Sequence, residues 1–310
     1  MELNDKKVFA IIVTYKGGQW YDRCFSSLRA SSIPLQVIVV DNASNDGSVE
    51  YLKANYPEII LIESQTNLGF GQANNEGIRY ALNHDCDYVF LLNQDAWIEP
   101  DSIKLLVDNH KKNSQFGILS PLHLYPDKSH IEKGFLTYLD DFRITDRELF
   151  EDLVFNRVKD VYETKYVNAA AWLIPKDVLL TVGGFDPIFF HYGEDDNYMR
   201  RVLFHGFKIG ICPFASIVHD CNNPGVRSYS EQEKERRRKL SLLIRFTDVY
   251  NHLAITAYKR YLFRKWIISS LKGKRTLAQQ YRNDFFYLKR HQTAIKASVV
   301  ANRKTGKTWL

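Results

Sequence analysis

The sequence predicts an α/β protein built on a doubly wound sheet. Three observations carry that prediction: near-continuous β-branched runs in the first hundred residues, helical periodicity between them, and polar, glycine-containing loops after each run. The runs from Val8 to Tyr15 and from Leu35 to Val40 read as parallel strands covered on both faces. Between them, from Trp20 to Ala30, Tyr21, Cys24, Phe25 and Leu28 fall at helical spacing. A second short helix runs from Ser48 to Asn55 and stops before Pro57. Ile59 to Ile62 reads as a third strand, Gly71 to Leu82 as a third helix and Tyr88 to Leu92 as a fourth strand. The resulting βαβαβαβ order implies right-handed crossovers and puts a ligand beyond the carboxyl ends of the strands.

Composition narrows the class. The chain has 310 residues, 45% of them hydrophobic and 14% aromatic, enough for a full core in one large domain or one domain with an appendage. The N-terminus lacks the basic and apolar regions of a signal peptide, and no run approaches eighteen apolar residues, so the expected location is the cytosol. Cys24, Cys86, Cys212 and Cys221 lie far apart without paired spacing, which reads as reduced packing thiols and argues against zinc. Charge is strongly divided. Residues 251–310 hold 14 Lys and Arg against Asp284 alone, net +13, whereas the first 250 residues carry 28 basic and 35 acidic side chains, net −7. This asymmetry suggests a boundary near residue 250 and an anionic target for the tail.

The loops at the predicted strand ends carry the chemistry. They are Thr14-Tyr15-Lys16-Gly17-Gly18, the stretch from Asp41 to Ser48, the stretch from Gln65 to Gly71, and Asn93-Gln94-Asp95. Any one of them reads equally well as an ordinary turn, but together they would line one crevice. Gly69-Phe70-Gly71 opens a helix in the manner of a phosphate-approach loop. Asp95 can reach a metal, and the acidic cluster ending Gly183-Gly-Phe-Asp-Pro-Ile-Phe-Phe-His-Tyr-Gly-Glu-Asp-Asp196 can supply a base, which suggests work on a phosphorylated donor. Neither a G-x-G-x-x-G after the first strand nor a P-loop is present, which excludes a dinucleotide dehydrogenase of the usual kind.

These motifs, with Ile12-Val-Thr-Tyr15, Val39-Val-Asp-Asn-Ala-Ser-Asn-Asp-Gly-Ser48 and Asn67-Leu-Gly-Phe-Gly-Gln-Ala-Asn-Asn75, resemble family 2 inverting glycosyltransferases of the GT-A fold over roughly residues 7 to 225. The forms Asn67 to Asn75 and Leu92-Asn-Gln-Asp95 are most similar to the rhamnosyltransferase-like branch that builds bacterial surface polysaccharides. The resemblance implies a mixed doubly wound sheet in residues 1–225, a helical basic region in 226–310, and transfer of a sugar from dTDP-rhamnose or a UDP-sugar to a glycan or lipid-linked glycan hydroxyl. Thr14, Tyr15 and Asp41 would hold the nucleoside, and Asn67, Gly69, Asn93, Gln94 and Asp95 would complete the donor site. Asn93 replaces the first Asp of the family's Asp-x-Asp motif, so Asp95 would be the carboxylate on Mn²⁺ or Mg²⁺. Asp195 would be the base and Glu194 would orient the acceptor, unless both merely form an acidic first helical turn. His219 is a third metal ligand or a packing residue, Trp172 a sugar platform or a core residue, and His191 part of the acceptor wall. A non-catalytic binding module and a sugar-phosphate nucleotidyltransferase share the architecture, although Lys16-Gly17-Gly18 falls short of the latter's triphosphate loop.

In the tail, Ile255, Tyr258, Leu262, Trp266 and Ile267 recur at helical spacing among Lys259, Arg260, Arg264, Lys265, Lys272, Lys274 and Arg275. An interfacial helix at the inner face of the cytoplasmic membrane and a helix packed on the catalytic domain both satisfy this pattern. No nucleic-acid module accompanies the basic residues, so nucleic acid is not an expected partner. Arg227 and Arg236 to Arg238 read as a solvated helix face more readily than as diphosphate ligands.

Overall fold

Alternation of side chains along buried strands requires cover on both faces, and the sheet receives it from helices on both sides. A computed structural model describes residues 6–140, 148–220, 230–251 and 254–310. The elements in chain order are β1 (Val8–Thr14), α1 (Gly18–Arg29), β2 (Leu35–Asp41), α2 (Ser48–Asn55), β3 (Ile60–Glu63), α3 (Gly69–Asn83), β4 (Tyr88–Asn93) and β5 (Ala96–Ile98). There follow α4 (Ser102–Lys112), β6 (Phe116–Leu124), α5 (Lys133–Asp140), α6 (Glu148–Val154), β7 (Tyr162–Thr164), β8 (Ala171–Pro175), α7 (Lys176–Val182), α8 (Glu194–Phe204) and β9 (Lys208–His219). The last three are α9 (Glu231–Thr247), α10 (Ile255–Leu271) and α11 (Arg275–Asn302).

The sheet runs β3-β2-β1-β4-β8-β6-β9-β5, with β7 also paired to β9. Strands β3, β2, β1 and β4 are parallel, as the β-branched runs predict, and β8 enters antiparallel between β4 and β6, making the sheet mixed. Even positions of β1 (Val8, Ala10, Ile12) join Tyr21, Phe25 and Leu28 of α1 in one core. Odd positions (Phe9, Ile11) join Ala73, Ile78 and Ala81 of α3 and Val178, Leu179 and Met199 of α7 and α8 in the other. Each such buried aliphatic or aromatic side chain contributes about 1.5–3 kcal/mol. Cys24, Cys86 and Cys212 are buried thiols, and burial pushes the Cys86 and Cys212 groups up to about 11 and about 12. Cys221 and Arg227 lie outside the described residues.

The chain forms two compact units, Met1–Asn223 with Thr305–Leu310, and Pro224–Lys304. The charge boundary near residue 250 is therefore no structural boundary, because α9 belongs with α10 and α11. Residues 305–310 depart from the expected division for a specific reason. Gly184 N donates to Thr308 O and Gly306 N to Thr181 O, both at 2.8 Å, and Leu310 packs on the α3–α7–α8 core.

In the helical unit, Ser230 caps α9 by accepting from Glu233 N at 3.2 Å. Ile255 and Leu262 of α10 are buried, as are Ala278, Leu288 and Ile295 of α11, and these two helices pack together. Tyr258 meets Phe246 of α9 with ring centroids 5.3 Å apart, and Arg238 Nε pairs with Asp284 Oδ1 at 2.7 Å. Of the predicted stripe of α10, Ile255, Tyr258 and Leu262 thus form a packing face within their own unit, whereas Ile267 does not. A second set of its side chains, Tyr261, Phe263, Ile267, Ile268 and Leu271, remains exposed. No helix among the described residues is long and apolar enough to cross a membrane.

Helix α3 lies close on β1 at Gly77, where an added Cβ would sit 2.6 Å from Ile11 Cγ2. Gly77→Leu is expected to lower stability in urea melts by about 1–3 kcal/mol through overpacking. Gly18→Ala, in the exposed first turn of α1 with no neighbour within 4 Å, is expected to leave stability unchanged or raise it by about 0.5–1 kcal/mol.

Candidate active site

Parallel register brings the donor-site candidates to one edge of the sheet. Thr14 is opposite Asp41, and Val13 is opposite Asn93. Thr14 Oγ1 donates to Asp41 Oδ1 at 3.2 Å and Ser44 N to Asp41 Oδ2 at 2.8 Å, so the buried carboxylate is pre-oriented at the end of β2. Tyr15 is exposed beside it. The Gln94 side chain accepts from Tyr15 N at 2.9 Å and donates to Tyr15 O at 3.3 Å, bracing the loop after β1. Asn93 is half-buried, and its backbone N–H donates to Ala170 O at 2.9 Å.

The loop before α3 is held from two sides. Asn42 Oδ1 accepts from Leu68 N at 2.6 Å while its amide donates to Gly69 O at 3.2 Å, and Asn67 Oδ1 accepts from Gly69 N at 2.9 Å. Gly69 has φ +77, and a Cβ there would lie 1.9 Å from Phe190 O. The glycine thus has a structural cause apart from any phosphate: a left-handed turn crossing under the 183–194 segment.

That segment carries the acidic cluster and is clamped from within. Asn75 donates to Phe185 O at 2.8 Å and accepts from Phe185 N at 2.7 Å. The fully buried Arg201 donates to Gly184 O at 2.5 Å and also to Val182 O, the carbonyl end of α7. After this turn, Gly193 in the left-handed region starts α8 at Glu194. Asp195 Oδ1 accepts from Asp196 N at 2.8 Å, and Tyr166 Oη donates to Asp195 Oδ2 at 3.3 Å. Burial holds the Asp195 carboxyl above its ordinary range. Burial, reinforced by the Asp195 charge, pushes Glu194 up to about 7, and Glu194 Oε2 is buried without a hydrogen-bond partner among the described residues. Asp196 instead pairs with Arg200 Nε at 2.6 Å along the helix. Phe190, His191 and Tyr192 are exposed on the adjoining loop.

The metal candidates meet at the junction of β5 and β9. Ala96 is opposite His219, and Asp220 N donates to Asp95 O at 2.9 Å. His219 Nε2 lies 3.5 Å from Asp95 Oδ1, and its Nδ1 is 2.9 Å from Glu132 Oε2. Burial opposes the charged imidazole, but the hydrogen bonds to Asp95 and Glu132 prevail and raise it to about 9. Burial likewise works against the Glu132 carboxylate, yet the nearby His123 ring, 3.6 Å away, and the hydrogen bond to His219 keep it well below the usual range. One carboxylate oxygen and one imidazole nitrogen facing each other would suit Mn²⁺ or Mg²⁺ once the ion displaces the Nε2 proton, with remaining positions left to water or phosphate.

Trp172 does not sit where a sugar platform would be needed. It is fully buried on β8, its ring 6.3 Å from Phe185 and 6.0 Å from Tyr198, because β8 runs through the middle of the sheet. Sequence reasoning missed Asn75, His123, Glu132, Tyr166 and Arg201. Only Asn75 lay inside a quoted motif; the others stand alone in sequence and are brought to the site by packing.

Residues 9–156 match the family Glycosyl transferase family 2. That match, just under half of the chain, identifies residues 9–156 as a glycosyl transferase family 2 domain. It is 27% identical over 230 residues, 67% of its length and 74% of the relative's, to the N-acetylglucosaminyl-diphospho-decaprenol L-rhamnosyltransferase of Mycobacterium tuberculosis. It is 26% identical over 228 residues, 72% of each chain, to the dTDP-rhamnosyl transferase RfbF of Shigella flexneri. Among solved structures, S. aureus TarS 1-349 in complex with UDP-GlcNAc superposes with a TM-score of 0.57 at 14% identity, covering 96% of this chain and 89% of that one. GalNAc-T7 with UDP, GalNAc and Mn²⁺ superposes with a TM-score of 0.55 at 14% identity over 76% of this chain and 48% of its own. These structural likenesses establish a shared GT-A fold.

The Glu194 shift has a defined pH consequence. An unfolded glutamate ionises near 4.5, whereas the native group holds its proton to about 7, so stability falls as pH rises through that window. The loss is on the order of 3 kcal/mol. Glu194→Gln is expected to flatten the urea midpoint between pH 4.5 and 7; identical slopes in both proteins would mean that Glu194 ionises normally.

Proposed function

We propose that the protein is an inverting, metal-dependent glycosyltransferase that moves a sugar, rhamnose from its dTDP form or a sugar from a UDP form, to a hydroxyl of a glycan or lipid-linked glycan. The observation that carries this reading is the pairing of two unlike acidic stations on one sheet edge. Asp95 faces His219 across 3.5 Å, while Asp195 and Glu194 are desolvated at the start of α8. Contacts of Asn42 with the 68–69 loop, and the close pass of Gly69 under Phe190, connect the β2 end to the acidic segment. The rhamnosyltransferase names of the two relatives support the dTDP-rhamnose option.

In this mechanism Asp41, Thr14 and Tyr15 take the nucleoside, and Asn67, Gly69 and Asn93 face its diphosphate. Gln94 serves by bracing Tyr15. Asp95 and His219 would hold the ion, and the chemistry it would supply is neutralisation of negative charge on the leaving diphosphate. Asp195 removes the acceptor proton, and its raised proton affinity, caused by burial, suits a base working near neutral pH. Tyr166 fixes the orientation of that carboxylate, and Glu194, protonated up to about pH 7, donates a hydrogen bond to the acceptor. His191 and the exposed rings of Phe190 and Tyr192 form the acceptor wall.

The helical unit adds a membrane role at the cytoplasmic face, consistent with an acceptor carried on lipid. On α10 and α11, the exposed Tyr261, Phe263, Ile267, Ile268, Leu271 and Phe286 are interspersed with exposed Arg260, Arg264, Lys265, Lys289 and Arg290. Aromatic and aliphatic side chains would enter the headgroup layer while the cations meet anionic lipid.

Asp195→Asn is expected to keep the melting-temperature increase given by the cognate nucleotide sugar with Mn²⁺ while transfer falls at least ~100-fold. Transfer at the wild-type rate would remove Asp195 from the mechanism. For the membrane role, changing Arg260, Arg264, Lys265 and Lys289 together to Gln is expected to weaken sedimentation with phosphatidylglycerol vesicles by at least ~100-fold, at about 1 kcal/mol per cation. Undiminished sedimentation would show that this surface does not carry lipid binding.

A further inference from the structure

Behind the Asp95–His219 pair lies a buried polar cluster that the donor and acceptor sites do not use. His123 and Glu132 come from β6 and from the segment folded back on it, joined by Glu132 N donating to His123 O at 2.8 Å and a bridge between Leu124 and Ile131. Ligand atoms of His123, Glu132 and His219 all lie within 4.8 Å of one another. Glu132 Oε2 receives His219 Nδ1 at 2.9 Å, and His123 Nδ1 lies 3.6 Å from the same oxygen. His123 is fully buried and its Nδ1 makes no hydrogen bond among the described residues, while Ser120 Oγ sits 3.3 Å from its Nε2. A carboxylate this enclosed is costly unless its partners are fixed, so its position behind an imidazole needs a cause.

We propose that Glu132 is a positioning residue for the metal end of the site, holding His219 Nδ1–H so that Nε2 faces Asp95, with His123 backing the carboxylate. The inference rests on the reading of Asp95 and His219 as the ion's ligands. Two geometric facts carry it. An imidazole has two nitrogens, and engaging Nδ1 at 2.9 Å leaves Nε2 as the nitrogen directed at Asp95. Further, β9 and the 131–132 segment flank β6 from different directions: β9 pairs with it in parallel, while Leu124 bridges Ile131 antiparallel. Glu132 therefore ties the ring at the end of β9 to a neighbouring backbone, which restricts ring rotation before an ion arrives.

The test uses the full chain and two readouts. In the metal-free protein with ¹⁵N-labelled histidine, the low-field Nδ1–H proton of His219, assigned by its loss in His219→Gln, is expected to disappear or move upfield in Glu132→Gln. Titration with Mn²⁺ in saturating UDP, and separately in dTDP, followed by electron paramagnetic resonance, is expected to show affinity weakened about 10- to 100-fold in Glu132→Gln. Leu28→Ala, which removes a buried side chain at the far end of α1, should leave that affinity unchanged. Equal Mn²⁺ affinity in wild type and Glu132→Gln overturns the proposal. So does a loss as complete as that of His219→Gln, which would make Glu132 a ligand itself. If wild type retains no Mn²⁺ with either nucleotide, the metal reading fails, and the histidine proton alone decides whether Glu132 holds the ring. Should Glu132→Gln not fold, Glu132→Asp, which keeps the charge but withdraws it from Nδ1, is read by the same two measurements.

Discussion

The hold on the turn at Gly184 and Phe185 is the constraint on which the catalytic side of this molecule depends. Asn75 reads both backbone groups of Phe185, and Arg201 inserts a fully buried guanidinium against Val182 O and Gly184 O. The charge is tolerable there because those carbonyls lie at the negative end of α7, where a cation is favoured. Desolvation nonetheless lowers the Arg201 group to about 10. The Asp186 carboxylate and the Tyr198 ring, 5.5 Å from the guanidinium carbon, also favour the charge. The turn, α3, α7 and α8 are thereby tied together, and Asp195 at the start of α8 takes its place from those ties.

The two acidic stations work in opposite electrostatic regimes. Glu132 is enclosed yet stays ionised, since imidazole hydrogen bonds outweigh the burial that would protonate it. Glu194 is enclosed without a cation, so burial dominates and it retains its proton to about 7. Packing thus leaves Glu132 charged beside an imidazole and Glu194 neutral at the start of α8. Gln94 and Asn42, in contrast, commit their amides to backbone, and so fix the loops after β1 and before α3.

Much of the fold was legible because its first half is written in local patterns. Strand runs such as Val8–Thr14, the helical spacing of Tyr21, Cys24, Phe25 and Leu28, and polar strand ends each specify an element without reference to the remainder of the chain. Asp41, Asp95, Asp195 and His219 were legible as candidates because they fall in ordered motifs or directly after a strand. The sequence could not distinguish Trp172 as a platform from Trp172 as core, since both uses require an aromatic after a small-residue run. Insertion of β8 between β4 and β6 decided for the core.

What the sequence determined by itself was therefore the order of elements through β4, and which acidic residues stand as candidates at the strand ends and in the 183–196 segment. Tertiary structure alone decided which of those groups keep a proton and which partners hold them. Glu132 is 87 residues from His219, and Tyr166 is 29 from Asp195. It also decided that residues 305–310 rejoin the catalytic unit, through Gly184 and Thr181, after a helical unit of opposite charge. Proton affinity follows local desolvation and the nearest partner, and both are properties of packing between distant segments, which no local pattern encodes.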